Sequence, residues 1–137
     1  MMTLQYKEAQ GMSADIIQTL LDHCLKKPGA YIDFPFGRIP VCVKVGGRLF
    51  AQIYPDECDR KITLNFDAMG GEFFRSMYPG VVVKGYHCPP RLAPYFNTIL
   101  LNGTVPEDVL LMMIDHSYST VFNKLPRSVR QEISGAA

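Results

Sequence analysis

"VCVKVGGRLFAQIY", residues 41–54, is the stretch on which the fold turns. Val41, Val43 and Val45 alternate with Cys42 and Lys44, the period of a half-buried strand. Gly46-Gly47 marks a turn, and Leu49–Tyr54 reads as the returning strand of a hairpin. A three-residue loop, Gly46-Gly47-Arg48, sets Val45 opposite Leu49 and carries one apolar row on through Ala51 and Ile53. A two-residue loop mixes the faces, so the pattern predicts three. Phe50, Gln52 and Tyr54 then share the opposite face with Lys44.

The neighbouring segments extend this sheet. "KITLNF", from Lys61, has Ile62, Leu64 and Phe66 on one side and Thr63 and Asn65 on the other. Upstream, "AYIDFPFG" is rich in aromatics, is broken by Pro35 and Gly37, and has room for a short edge strand. Downstream, "VVVKGY" and "YFNTILL" are two further strands.

Helical signals surround them. In "SADIIQTLLDHCLKKPG", Ile16, Ile17, Leu20, Leu21, Cys24 and Leu25 recur at helical spacing behind a Ser13 cap, and Pro28-Gly29 stops the helix. Asp67 caps a short helix over "AMGGEFFRSMYPG", which Gly70-Gly71 weakens. Thr104 caps a last long helix with Pro106 in its first turn. Its apolar face holds Leu110, Met113, Ile114, Ser117, Tyr118, Val121, Phe122 and Leu125. The order is helix, three strands, helix, two strands, helix. Short connections imply antiparallel pairing, so the expected fold is a two-layer α+β domain with helices on one face of the sheet. The other face, carrying Lys44, Phe50, Gln52, Tyr54, Thr63 and Asn65, is expected to be partly open.

Composition bounds the class. The chain has 137 residues, enough for a single domain across 1–137, with residues 1–12 as a flexible arm. Nearly half of it is hydrophobic and a fifth is charged, the balance of a globular protein. No apolar run reaches a membrane span and the first residues lack an export signal, which predicts a cytoplasmic protein with no membrane partner. Cys24, Cys42, Cys58 and Cys88 never form C-x-x-C, and read as free thiols in a reducing compartment. The net charge of +1 decides nothing about nucleic acid, because only a clustered basic surface matters.

Five segments in order, "CLKKPGAYIDFPFG", "VKVGGRLFAQI", "MYPGVVVKGYH", "NTILLNGTVPEDVLLMMIDHSY" and "KLPRSVR", resemble the MmcQ/YjbR family of small bacterial proteins, from about Leu20 to about Arg130. The resemblance implies an α/β domain of the CyaY-like or secretion-chaperone-like kind. Members are commonly labelled DNA-binding, on a double-wing arrangement of the fold. It brings no catalytic residue with it. The chain departs from the pattern after His87, where "CPPRLAPYFNT" replaces an Asn, a basic pair and His-Trp. Tyr95-Phe96 stand at the His-Trp place, and Arg91 is the one cation left in that loop.

Chemistry-bearing residues were weighed against structural roles. His87 and Cys88 are adjacent, so on a continuing strand they face opposite ways and cannot form a nucleophile–base pair. His23 and His116 fall within helices, and no His or Cys pair has a zinc-ligand spacing. Asp115, His116 and Ser117 are consecutive on a helix and fan apart, with Asp115 and His116 towards solvent. No catalytic residue, metal site or cofactor is therefore expected, and "GYHCPPRLAPYF" reads as a proline-stiffened loop. Candidate nucleic-acid contacts are Lys44, Arg48, Arg60, Lys61, Lys84 and Arg91, on strands or hairpin tips. Phe50 and Tyr54 are the candidate interaction surface, for stacking on bases or meeting a protein partner. Lys124, Arg127 and Arg130 are expected to complement the end of the last helix. The sequence therefore predicts a non-enzymatic binding module, for DNA first and a protein partner second.

Overall fold

A computed structural model describes residues 15–56, 58–85 and 95–136. Within them the chain runs α1 (Asp15–Leu25), β1 (Tyr31–Asp33), β2 (Val41–Val45), β3 (Arg48–Tyr54), β4 (Lys61–Asn65), α2 (Ala68–Met77), β5 (Val82–Lys84), β6 (Phe96–Leu100), α3 (Glu107–Phe122) and α4 (Arg127–Ala136). The strands form one six-stranded sheet in the order β1-β2-β3-β4-β6-β5. Every neighbouring pair is antiparallel. This is the two-layer α+β fold expected, with two additions. The aromatic segment after α1 does supply an edge strand, β1. The basic segment after α3 is itself a helix, α4, so Arg127 and Arg130 stand on a helix of their own.

The core lies between the sheet and the helices. Val43, Ala51, Ile53, Ile62, Leu64 and Ile99 meet Leu20 and Cys24 of α1 and Leu110, Met113 and Ile114 of α3, all of them buried. Pairing fixes which side chains share a face. Val43, Ala51, Leu64, Asn97 and Lys84 follow one another across the sheet on the helix side. Cys42, Gln52, Thr63, Thr98 and Val83 follow one another on the far side. Thr63 and Thr98 join hydroxyls there at 2.9 Å. The centre of this face is covered, since Cys42, Thr63 and Thr98 are all buried.

The hairpin departs from its sequence reading. Val45 pairs with Arg48, so the turn is two residues, Gly46-Gly47, with φ of 57° and 83°. Both values are left-handed, as a tight type I′ turn requires, and glycine takes them without the Cβ penalty. Faces do not mix because the register shifts between Val43 and Lys44: Lys44 faces Leu49 and Val43 faces Ala51. Phe50 is the extra residue of a β-bulge. It therefore does not lie on the open face as predicted. It is 1% exposed, and its ring meets Tyr118 of α3 edge-on at 5.3 Å.

Helix ends follow local chemistry. Asp67 caps α2 as expected, accepting the Gly70 N–H at 2.6 Å. Gly70 leaves room for its neighbours: a Cβ there would come within 2.6 Å of His116 Nε2, so the imidazole would have to shift. Thr104 does not cap α3. The helix starts at Glu107, and Pro106 holds the cap position without a side-chain hydrogen bond. Glu107 and Asp108 still favour the positive end of α3.

Candidate functional site

The bulge opens one end of the sheet. β3 and β4 pair from Tyr54↔Lys61 up to Ala51↔Leu64 and then part, while β4 continues with β6 to Asn65↔Phe96. Ser117 of α3 fills the root of the gap. Its hydroxyl donates to the Phe50 carbonyl at 2.5 Å and accepts the Asn65 N–H at 2.8 Å. One fully buried side chain thus satisfies two backbone groups that sheet pairing leaves over.

Beyond Ser117 the gap widens into a cleft of about 560 Å³. Among the described residues it is lined by Arg48 and Leu49 from β3, Asn65 from β4, Tyr95 and Phe96 at the start of β6, and Val121 and Lys124 at the end of α3. Its charge is of one sign, with two cations and no acid in that set. The Lys124 ammonium lies 5.4 Å from the centre of the Tyr95 ring, within cation–π range. Asn65 Oδ1 is buried without a hydrogen-bond partner. A buried acceptor left in that state costs about 1–3 kcal/mol.

The cleft belongs to a wider cationic end. Gly46 sits so tightly on the α3–α4 connection that a Cβ would meet Leu125 at 2.7 Å and Val129 at 3.2 Å. The hairpin tip with Arg48 is therefore packed on the segment that carries Lys124, Arg127 and Arg130. Arg127 and Arg130 line a second depression of about 320 Å³ on α4. Residues 34–55 and 116–131 contain no Asp or Glu. These two acid-free stretches are the sequence signal for this end. Assigning Lys124, Arg127 and Arg130 to the helix terminus alone missed it.

The five predicted cations that are described do not form one patch. Lys44 is held by Asp33 at 2.7 Å, and Lys61 by Asp59 at 2.6 Å while also lying 5.0 Å from the Tyr54 ring centre. The hydrogen bond and charge of Lys44 hold the Asp33 carboxyl below its usual range. Arg60 and Lys61 stand at the far end of β4, about 20 Å from Arg48 along the strands at 3.3 Å per residue. Lys84 is exposed on the β5 edge, on the helix side of the sheet. Arg91, with His87 and Cys88, lies outside the described residues. Among the five described, Arg48 alone lines the cleft. Tyr54 does lie on the far face, half-buried.

Several of the other reactive groups are held in structural contacts, although His116 Nε2 is buried without a hydrogen-bond partner and Cys58 is an exposed free thiol. His23 Nε2 lies 2.7 Å from Asp115 Oδ1, and Lys27 pairs with the same oxygen, which ties α1 to α3. Asp115 therefore reaches across to α1 while its side chain stays half exposed, as expected of a residue on the solvent side of the helix. Burial pushes its carboxyl up, but the hydrogen bonds from Lys27 and His23 outweigh that and hold it below the ordinary carboxylate range. His116 turns towards Asp67 and the rings of Phe66 and Phe74. Burial pushes the Cys24 thiol up to about 12. Among the described residues no three His, Cys, Asp or Glu side chains gather as metal ligands. No helix there is long and apolar enough to cross a membrane.

Fold and cleft together define a small α+β domain that gathers cations at one end of an antiparallel sheet. A sequence model of the YjbR family matches residues 25–120, and the chain belongs to that family. It is 25% identical over 115 residues to the uncharacterised protein YjbR of Escherichia coli K12, covering 84% of this chain and 94% of that one. Among solved structures it resembles a Deinococcus radiodurans protein with a DUF419 domain, with a TM-score of 0.77 and 27% identity over 86% of this chain and 87% of that one. A Pseudomonas syringae protein shares the fold at a TM-score of 0.59 and 17% identity, over 75% of this chain and 96% of that one.

Proposed function

We propose that this protein is a cytoplasmic binding module without turnover, which docks the phosphate backbone of a nucleic acid, DNA first, on its cationic end. The observation that carries the reading is that Gly46 packs the hairpin tip on Leu125 and Val129, so that Arg48 lines one cleft with Lys124, in two stretches free of acids that also hold Arg127 and Arg130. Clustered cations on a rigid framework bind phosphates by displacing condensed counterions, whatever the net charge of the whole chain. Rigidity matters because the tip is braced by Leu125 and Val129. The absence of turnover is supported by how the candidate reactive groups are engaged. The Ser117 hydroxyl is bonded on both sides to backbone, and the raised Cys24 thiol is a poor nucleophile.

The test is duplex binding across a salt series. Affinity should fall as salt rises, and Arg48→Ala and Lys124→Ala should each flatten the log–log slope by about 0.9. Lys61→Ala should leave the slope unchanged, because its ammonium is neutralised by Asp59 at the opposite end. No detectable binding at low salt, or equal effects of Lys61→Ala and Arg48→Ala, refutes the cationic-end reading. Binding to a protein partner is the second reading. Tyr31, Ile32, Phe34, Phe36 and Ile39 are all exposed on or just beyond edge strand β1, where backbone groups are free to pair.

A further inference from the structure

We infer that the cleft between β3, β6 and α3 is a subsite for a single nucleotide, taking a planar heterocycle together with its phosphate. The inference rests on the cationic end being a phosphate-binding end, and adds what enters the cleft there. Three features point the same way. Size is the first: about 560 Å³ lies within the range of small-molecule sites and exceeds what a bare phosphate fills. Charge is the second: Arg48 and Lys124 are two cations without an acid in the described lining, which suits a dianion better than a monocarboxylate. The third is the interior. Leu49, Phe96 and Val121 supply apolar wall and Tyr95 a partly exposed ring, on which a base can stack. Beside them the half-buried Asn65 carboxamide, whose Oδ1 is held by no internal hydrogen bond, is free to turn its acceptor towards the N–H edge of a heterocycle. A purely electrostatic patch does not need the apolar wall, and a purely apolar groove does not need two cations.

The experiment titrates the isotopically labelled protein at low salt with AMP, adenosine, inorganic phosphate and benzoate, followed by amide chemical shifts. AMP should saturate with shifts centred on Arg48, Asn65, Phe96 and Lys124. It should bind about tenfold more tightly than adenosine or phosphate, because both halves of the ligand are held at once. Asn65→Ala and Lys124→Ala should each weaken AMP several-fold. Asn65→Ala removes a carboxamide oxygen that has no internal partner, and Lys124 is exposed, so both variants keep the fold, which the unchanged remaining spectrum verifies. Equal affinity for AMP and phosphate, tighter binding of benzoate than AMP, or shifts centred elsewhere overturn the subsite. Duplex DNA measured on the same samples separates this from the broader reading. Duplex binding without AMP saturation defeats the subsite and leaves the docking end standing. AMP saturation without duplex binding supports the subsite and defeats the docking of polymer.

Discussion

Replacing Ser117 by Ala tests the joint on which both core and cleft depend. The hydroxyl donates to the Phe50 carbonyl at 2.5 Å and accepts the Asn65 N–H at 2.8 Å. Ser117 is fully buried, so the Phe50 carbonyl gains no water in exchange when the hydroxyl is removed, and the Asn65 N–H gains little. Each buried backbone group left unmatched costs about 1–3 kcal/mol. Alanine's better helix propensity returns a few tenths. The Asn65 site is only partly buried, which trims its share, so the expected loss is about 2–4 kcal/mol. That is a large part of the 5–15 kcal/mol typical of a domain, and corresponds to a fall in Tm of about 6–12 °C. Thr120→Ala is the matched control. It sits one turn further along α3, and its hydroxyl returns to its own helix at the His116 carbonyl at 2.8 Å. Such a back-bond does little for stability, and the change should stay within about 0.5 kcal/mol. Urea unfolding followed by circular dichroism gives both values, and hydrogen exchange at the Asn65 amide reports the joint directly. A Ser117→Ala loss no larger than that of Thr120→Ala, or an Asn65 amide equally protected in the variant, would falsify the bridging role.

The hairpin turn and the α1–α3 tie give two further tests. Gly46→Ala and Gly47→Ala both force a side chain into a left-handed position, for about 1–2 kcal/mol each. Only the first also drives a Cβ to 2.7 Å from Leu125, since Gly47 has nothing within 4 Å. Gly46→Ala should therefore be clearly the less stable in a thermal melt, and equal losses would refute the packing of the tip on the α3–α4 connection. The Asp115 carboxyl is held below the ordinary carboxylate range when folded, so its contribution is complete above that range and drains away as pH falls through the lowered folded value. Asp115→Asn should flatten the acid side of the stability–pH curve and leave its shape above neutrality alone. An unchanged acid limb would show that the contacts with Lys27 and His23 add nothing.

Most of the architecture was legible because it rests on periodicity. Alternation in 41–45 and 61–65, the helical face from Leu110 to Phe122, and the Asp67 cap all hold, while Leu125 falls just past the helix and is buried from the connection. The errors share a cause. Sequence alternation assumes an unbroken pleat, and one inserted residue reverses every face beyond it. Choosing a three-residue loop kept the valines and Ala51 in one row, which is right. It achieved this with the wrong device, and so put Phe50 outside. Its burial against Tyr118 depends on a register shift that no local pattern announces. Thr104 failed as a cap because Pro106 resets where α3 begins. The predicted cations were judged singly, as tips of hairpins. Pairing of Lys44 with Asp33 and of Lys61 with Asp59 depends on tertiary placement, as does the approach of residue 48 to residue 124.

The same bulge explains why the cleft exists where it does. A regular hairpin keeps β3 against β4 along its whole length and leaves no gap for Ser117. Adding Phe50 sends that ring into the core and lets the tip diverge, with Gly46 coming to rest on Leu125 and Val129. The divergence exposes the end of β4, where Asn65 retains one unmatched oxygen, and brings Arg48 within the same cleft as Lys124. Core packing and the candidate site are thus one geometric solution. Substitutions that regularise the bulge should close the cleft, and substitutions of Arg48 or Lys124 should empty it of charge while leaving the core intact. Separating these two classes by stability and by ligand binding is what distinguishes a site from an accident of packing.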